Sequence, residues 1–176
     1  MSEPASASAS PGVSAGPTTA QPRQEWEVRR AIPADAPGVA AAVRELLLEL
    51  DGTPSAPPAM EAAASMLIVS PWAGAVLVAE ADGELVGVVA ASWQMAIHVP
   101  GSYALIQDLW VDLSWRGRSV GKDLLAALVA LAHAKRFERV EVGLPRESFA
   151  GFASTEAFYL GNGFKPNGPR MRMVLS

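Results

Sequence analysis

Trp115–Lys122 reads WRGRSVGK. It stands between a β-rich run ending at Val111 and a helical pattern that starts near Ser119, with Val120 as its first apolar position. Unpaired N–H groups and a partial positive charge gather at the first turn of a helix, so a turn that exposes them binds phosphate or pyrophosphate. Gly117, Ser119 and Gly121 are small where a ligand would touch the backbone, and Arg116, Arg118 and Lys122 add positive charge beside them. Taken alone, the stretch reads as an anion site or as a surface loop whose arginines face water. Two nucleotide signatures fail here. A P-loop needs glycine where Arg116 stands and Ser or Thr where Asp123 stands, and the dinucleotide G-x-G-x-x-G is broken by Arg116, Arg118 and Val120.

Working outward, Leu124, Leu128 and Leu131 continue the helical period of Val120, and RVEVGL at Arg139–Leu144 reads as the next strand. Upstream, AVLVAE and ELVGVVAASWQ flank Asp82-Gly83 as a hairpin, and a third run, Tyr103–Val111, follows a turn expected at Pro100-Gly101. Further back, WEVRRA at 26–31 reads as a short strand and Asp35 as the N-cap of a helix carrying Val39, Val43, Leu46, Leu47 and Leu50. A loop over 51–58 and a second helix around 60–69 follow. A short helix at 154–160 and one or two closing strands within Phe164–Leu175 complete the order β-α-α-β-β-β-α-β-α-β-β, a mixed α/β domain.

Composition bounds the rest. At 176 residues with 50% hydrophobic and 18% charged side chains, the chain has the size and balance of one globular domain. Residues 1–24 are Ser, Ala, Pro, Gly and Thr with few exceptions and read as a disordered tail, leaving 25–176 as the domain. The net charge of −4 gives no general attraction to nucleic acid or to an anionic membrane, and neither is expected as a partner. No secretory signal or membrane span is evident, so the expected compartment is the cytoplasm. Cysteine is absent and His98 and His133 stand far apart, so no metal site is expected.

The stretch resembles the acetyl-CoA motif of the GNAT N-acetyltransferase superfamily, [QR]-x-x-G-x-[GA] after a strand ending L-x-V. Leu109-Trp110-Val111 supplies the strand end, Arg116 and Gly121 fit, and Ser119 replaces the first glycine. The family's downstream signature, A-x-x-F-Y-x-x-x-G-F, is similar to TEAFYLGNGF at Thr155–Phe164. The resemblance spans about residues 25–176 and implies a single α/β domain, a mixed and mostly antiparallel sheet with helices on both faces. It implies acetyl-CoA as co-substrate, held by residues 109–111 and 116–122, with the strand end pairing the pantetheine arm and the turn amides holding the pyrophosphate. Ser119 is small and is expected to cap the helix.

The same resemblance makes Tyr159 the general acid that protonates the departing CoA thiolate, with the backbone N–H of Trp110 or Val111 meeting the thioester carbonyl. Relatives carry a glutamate or histidine four or six residues before the valine of L-x-V, where this chain has Gln107 and Leu105, neither of which ionises. Asp108 is ionisable, but strict alternation directs it to the opposite face, so it reaches the site only at a bulge or through a water. Glu80 and Glu84 are weaker candidates for the base. The aromatic residues Trp72, Trp93, Tyr103, Trp110, Phe149 and Phe152 are candidate linings of an acceptor pocket that would favour an apolar or aromatic body. The expected reaction is acetyl transfer to a primary amine of a small molecule. A non-catalytic acyl-CoA-binding module is the alternative, and a homodimer stays open.

Overall fold

The computed structural model describes residues 25–168 together with Met171 and Met173. The expected tail at 1–24 and the far part of the expected closing strands lie outside the described residues. The elements run β1 (Glu27–Arg30), α1 (Ala36–Glu49), α2 (Pro57–Ile68), β2 (Gly74–Ala81), β3 (Glu84–Ala96), β4 (Val99–Val111), α3 (Val120–Ala134), β5 (Val140–Val142) and α4 (Phe152–Gly161). The five strands form one sheet in sequence order, antiparallel throughout except where β4 meets β5 in parallel.

The centre of the sheet is apolar on both faces because helices cover both. One core joins Val39 and Ala42 of α1 to Val76, Val78, Val88, Ala90 and Trp110, with Leu67 and Ile68 of α2 packed against it. The other joins Leu77, Ala79, Val89, Ala91 and Ile106 to Val120, Leu124 and Leu128 of α3 and Tyr159 of α4. The β2–β3 turn places Asp82 at φ 51° and Gly83 at φ 82°, the two left-handed residues that match the twist of a tight hairpin. Gly87 lets α3 seat on the sheet, since a Cβ there would lie 2.8 Å from Leu124 Cδ1 and 3.0 Å from Val120 Cγ1.

Several local expectations change. Asp35 does not cap α1 with its side chain. Its carboxylate accepts instead from both terminal nitrogens of Arg29, at 2.7 and 3.0 Å, and from the Ile32 N–H, while Arg29 also holds Glu80. The Arg29 guanidinium keeps the Asp35 carboxyl below its ordinary value. The β3–β4 reversal falls at Ile97–His98 rather than at Pro100-Gly101, β5 shrinks to three residues, and 164–168 form no strand.

Candidate active site

β4 changes character half-way along. Ala104, Leu105 and Ile106 pair with Val140, Glu141 and Val142, and there β5 ends. At the same level the β3–β4 register shifts: Ala91 lies opposite Ile106 but Ala90 lies opposite Asp108, leaving Gln107 as an extra residue. This is a β-bulge, which bends a strand and re-aims the side chains beyond it. From Gln107 to Val111 the β5-facing edge of β4 has no strand partner among the described residues.

Backbone direction along that open edge follows from one bond. Asp112 N–H donates to Val86 C=O at 3.0 Å, and in an antiparallel ladder alternate residues turn their polar groups to opposite edges. Trp110, opposite Val88, therefore spends its N–H and C=O on β3. Leu109 and Val111 present theirs to the open side, so of the two expected main-chain donors it is the Val111 N–H, and not that of Trp110, that faces the open edge.

The bulge also decides where Asp108 points. Cross-strand partners share a face, so Asp108 lies with Ala90 on the α1/α2 face, as Leu105 does with Ser92. Strict alternation would have put Leu105 and Asp108 on opposite faces; the extra residue unites them. Burial raises the Asp108 carboxyl above its ordinary value, and among the described residues it has neither a hydrogen-bond nor an ion-pair partner. Gln107 Nε2 donates to Ser92 Oγ at 2.8 Å, as does Gln94 Nε2. Glu80 is held by Arg29, and Glu84 sits exposed at the β2–β3 turn, so neither borders the open edge.

The open edge runs into the glycine turn. Gly117 has φ +77° and Ser119 φ +75°, with Arg118 between them at negative φ. Such alternation turns successive N–H groups toward one side and makes an anion-binding concavity. The first intrahelical bond, Asp123 N–H to Ser119 C=O at 3.0 Å, leaves the N–H groups of Val120, Gly121 and Lys122 unpaired within α3. Ser119 makes no side-chain cap, contrary to expectation; it occupies the left-handed conformation that glycine adopts without strain. At Gly121 a Cβ would lie 3.5 Å from Val111 Cγ2 and 3.6 Å from the Phe158 ring, so strand end, helix start and α4 converge there.

The cations of the turn differ from one another. Lys122 is exposed. Arg118 stacks 5.1 Å over Trp115 and meets Glu25 at 3.2 Å. Arg116 donates from Nε to Val111 C=O at 2.9 Å and from a terminal nitrogen to both oxygens of Glu49, at 2.7 and 2.9 Å.

Tyr159 approaches β4 from the other face. It is 6% exposed, sits edge-on to Phe158 and Phe164, and burial raises its phenol above the ordinary value. Asp108 and Tyr159 thus flank β4 from opposite sides. The aromatic residues do not gather into one pocket: Trp93 packs on Phe137, Trp110 is buried in the α1/α2 core, Tyr103 lies under Arg139, and Trp72 is 76% exposed.

The sequence profile of the acetyltransferase (GNAT) domain matches residues 72–166, from just before β2, the first strand of the hairpin, to the segment after α4. This chain belongs to the GNAT acetyltransferase family. No curated protein matches the chain. Among solved structures, the domain is similar to AAC(6')-Iy in complex with the bisubstrate analogue CoA-S-monomethyl-acetylneamine, at 17% identity and a TM-score of 0.71 over 87% of this chain and 99% of that one. It is also similar to an aminoglycoside acetyltransferase, meta-AAC0020, from an uncultured soil metagenomic sample in complex with sisomicin (20% identity, TM-score 0.69, 86% and 97% covered). A third is the ribosomal-protein-alanine N-acetyltransferase of Brucella melitensis biovar Abortus 2308 (16%, 0.67, 86% and 99%). At these identities the likeness is one of fold.

Within this GNAT domain the structure adds residues that the motifs do not contain. Glu49 stands 67 positions before Arg116, and Arg146 reaches back from the loop after β5 to the carbonyls of Leu50 and Asp51 at 3.1 and 3.3 Å. No local pattern marks either. A surface glutamate and a loop arginine gain their meaning only when the fold brings α1 to the turn.

Proposed function

We propose that this GNAT domain transfers acetyl from acetyl-CoA directly to a primary amine of a small molecule. The observation that carries the reading is the continuous open track formed by the β4 edge at Leu109 and Val111 and the unpaired amides at the start of α3. A pantetheine arm contains amide groups and can add to a sheet edge as a strand does, while a pyrophosphate fits the helix N-terminus. Leu109 would pair with the arm, the Val111 N–H would face the thioester carbonyl, and Gly117 to Lys122 would hold the phosphates.

In the transfer the amine nitrogen attacks the thioester carbonyl carbon, the C–N bond forms and the C–S bond breaks. The Val111 N–H stabilises the developing oxyanion. Asp108, on the α1/α2 face, takes the proton from nitrogen, directly or through a water; its raised pKa makes it a stronger base than an exposed carboxylate. Tyr159, on the α3/α4 face, gives its proton to the thiolate sulfur and is reprotonated from solvent. A phenol is already protonated at neutral pH, and burial raises Tyr159 further above its ordinary value. Structural neighbours solved with sisomicin and with an acetylneamine analogue favour a small-molecule acceptor. Burial of Tyr159 favours the alternative, an acyl-CoA-binding module without turnover.

Release of free CoA thiol from acetyl-CoA across a panel of primary amines separates the two. Transfer predicts release with at least one amine and a fall of more than about tenfold in Tyr159→Phe with acetyl-CoA binding nearly intact. Tight binding without release from any amine supports the module instead, and unchanged turnover in the variant removes Tyr159 from the chemistry.

A further inference from the structure

Arg116 occupies the first position of the acetyl-CoA motif, yet its guanidinium is already spent. Its Nε holds the Val111 carbonyl at 2.9 Å, and one terminal nitrogen spans both oxygens of Glu49 at the end of α1. Arg146, from the far side of the open edge, holds the carbonyls of Leu50 and Asp51 one and two residues further on. Those carbonyls lie at the C-terminus of α1, where backbone acceptors lack helical partners and a cation is favoured. Thus the turn after β4 and the loop after β5, the two walls of the opening, both grip the same short stretch, 49–51. That stretch begins the α1–α2 connection on the face of the sheet that carries Asp108.

We infer that Arg116 and Arg146 form a clasp around the end of α1, and that Arg116 is a positioning residue and not a phosphate ligand. It holds the carbonyl of Val111, the residue whose own N–H looks onto the open edge, and it sets how closely the end of α1 approaches that edge. The planar guanidinium suits this task because it presents donors in two directions at once. A lysine ammonium carries the same charge but cannot reproduce the fork. Anion affinity at the turn then comes from the backbone amides of 117–122 with Arg118 and Lys122.

The inference rests on acetyl-CoA as the donor, and its test is the calorimetric affinity of the full chain for acetyl-CoA, with melting temperature as the control for folding. The clasp predicts that Glu49→Gln, Arg116→Gln and Arg116→Lys each weaken acetyl-CoA about three- to tenfold. The double variant Arg116→Gln with Glu49→Gln is no weaker than the worse single, because both remove one interaction. A phosphate ligand predicts the reverse pattern. Glu49→Gln, which removes a negative charge and frees the arginine, would leave binding unchanged or tighter, and Arg116→Lys would retain most of it; either result overturns the proposal. If the wild-type chain does not bind acetyl-CoA, the donor reading fails on its own and amide hydrogen exchange decides the clasp. Faster exchange at residues 46–52 in Glu49→Gln, Arg116→Gln and Arg146→Gln supports it, and unchanged exchange sinks it.

Discussion

The two halves of β4 are built from one strand and do different work. Ala104–Ile106 have strands on both sides, and all three residues are buried, Ile106 at 3% exposure. Among the described residues, Gln107–Val111 have a strand partner on one side only, begin at a bulge and carry the Asp108 carboxylate with no partner. The first half follows the rule that buried backbone groups are paired, and its side chains supply packing. The second half leaves the N–H and C=O of Leu109 and the N–H of Val111 without a strand partner among the described residues, beside a helix start whose first amides are unpaired within α3. Sheet continuity marks where the molecule is held together, and its interruption leaves the open edge on which the proposed acetyl-CoA site rests.

That contrast predicts separable effects. Ile106→Ala, in the paired half, removes a buried side chain and should cost about 2–5 kcal/mol of stability while the folded fraction keeps its turnover. Urea unfolding together with activity per folded molecule reads both, and a loss of turnover in the folded fraction would show that the halves are not independent. Asp108→Asn, in the open half, should lower turnover about a hundredfold, or roughly 2.7 kcal/mol in the barrier.

The stability effect of the same change has the opposite sign. Burial raises the Asp108 carboxyl above its unfolded value, so the ionised form is the costly one in the folded chain. Stability from this residue is complete below the unfolded value of about 3.9 and is lost as pH rises through the folded value. Asp108→Asn should therefore raise the melting temperature at pH 7 and leave it nearly unchanged below about pH 4. A lower melting temperature at pH 7 would mean that Asp108 has a stabilising partner. Wild-type turnover should climb with pH as this carboxyl ionises, and the Asn variant should lose that limb.

The smallest effect belongs to the turn. Ser119 holds φ +75° without a side-chain cap, so Ser119→Gly should stabilise the chain by at most about 1 kcal/mol, or 2–4 °C. A destabilised variant would mean that the serine hydroxyl contributes an interaction stronger than the backbone strain.

How much of this was legible in the sequence divides along the same line. Periodicity found the β2–β3 hairpin and the buried stripe of Val120, Leu124 and Leu128, because local pattern and burial agree there. Two motifs located the strand end, the turn and Tyr159. Alternation misplaced Asp108, because a bulge is one inserted residue with no composition signal of its own at Gln107. The turn sequence showed three cations as equivalents, whereas Arg116 is committed to Glu49 across a separation that only the fold closes. The aromatic residues were grouped as one lining, and the sheet distributes them over two faces and the surface, since hydrophobicity alone does not name a side.

The central claim is that the β4 edge at Leu109 and Val111, continued by the α3 amides, receives acetyl-CoA. Amide hydrogen exchange with and without saturating acetyl-CoA tests it residue by residue. The account predicts that acetyl-CoA slows exchange at Leu109, Val111 and 117–122, while Trp110, bonded to β3 in either state, changes little. Equal protection of Trp110 and its neighbours, or no protection at Leu109 and Val111 on binding, would contradict it.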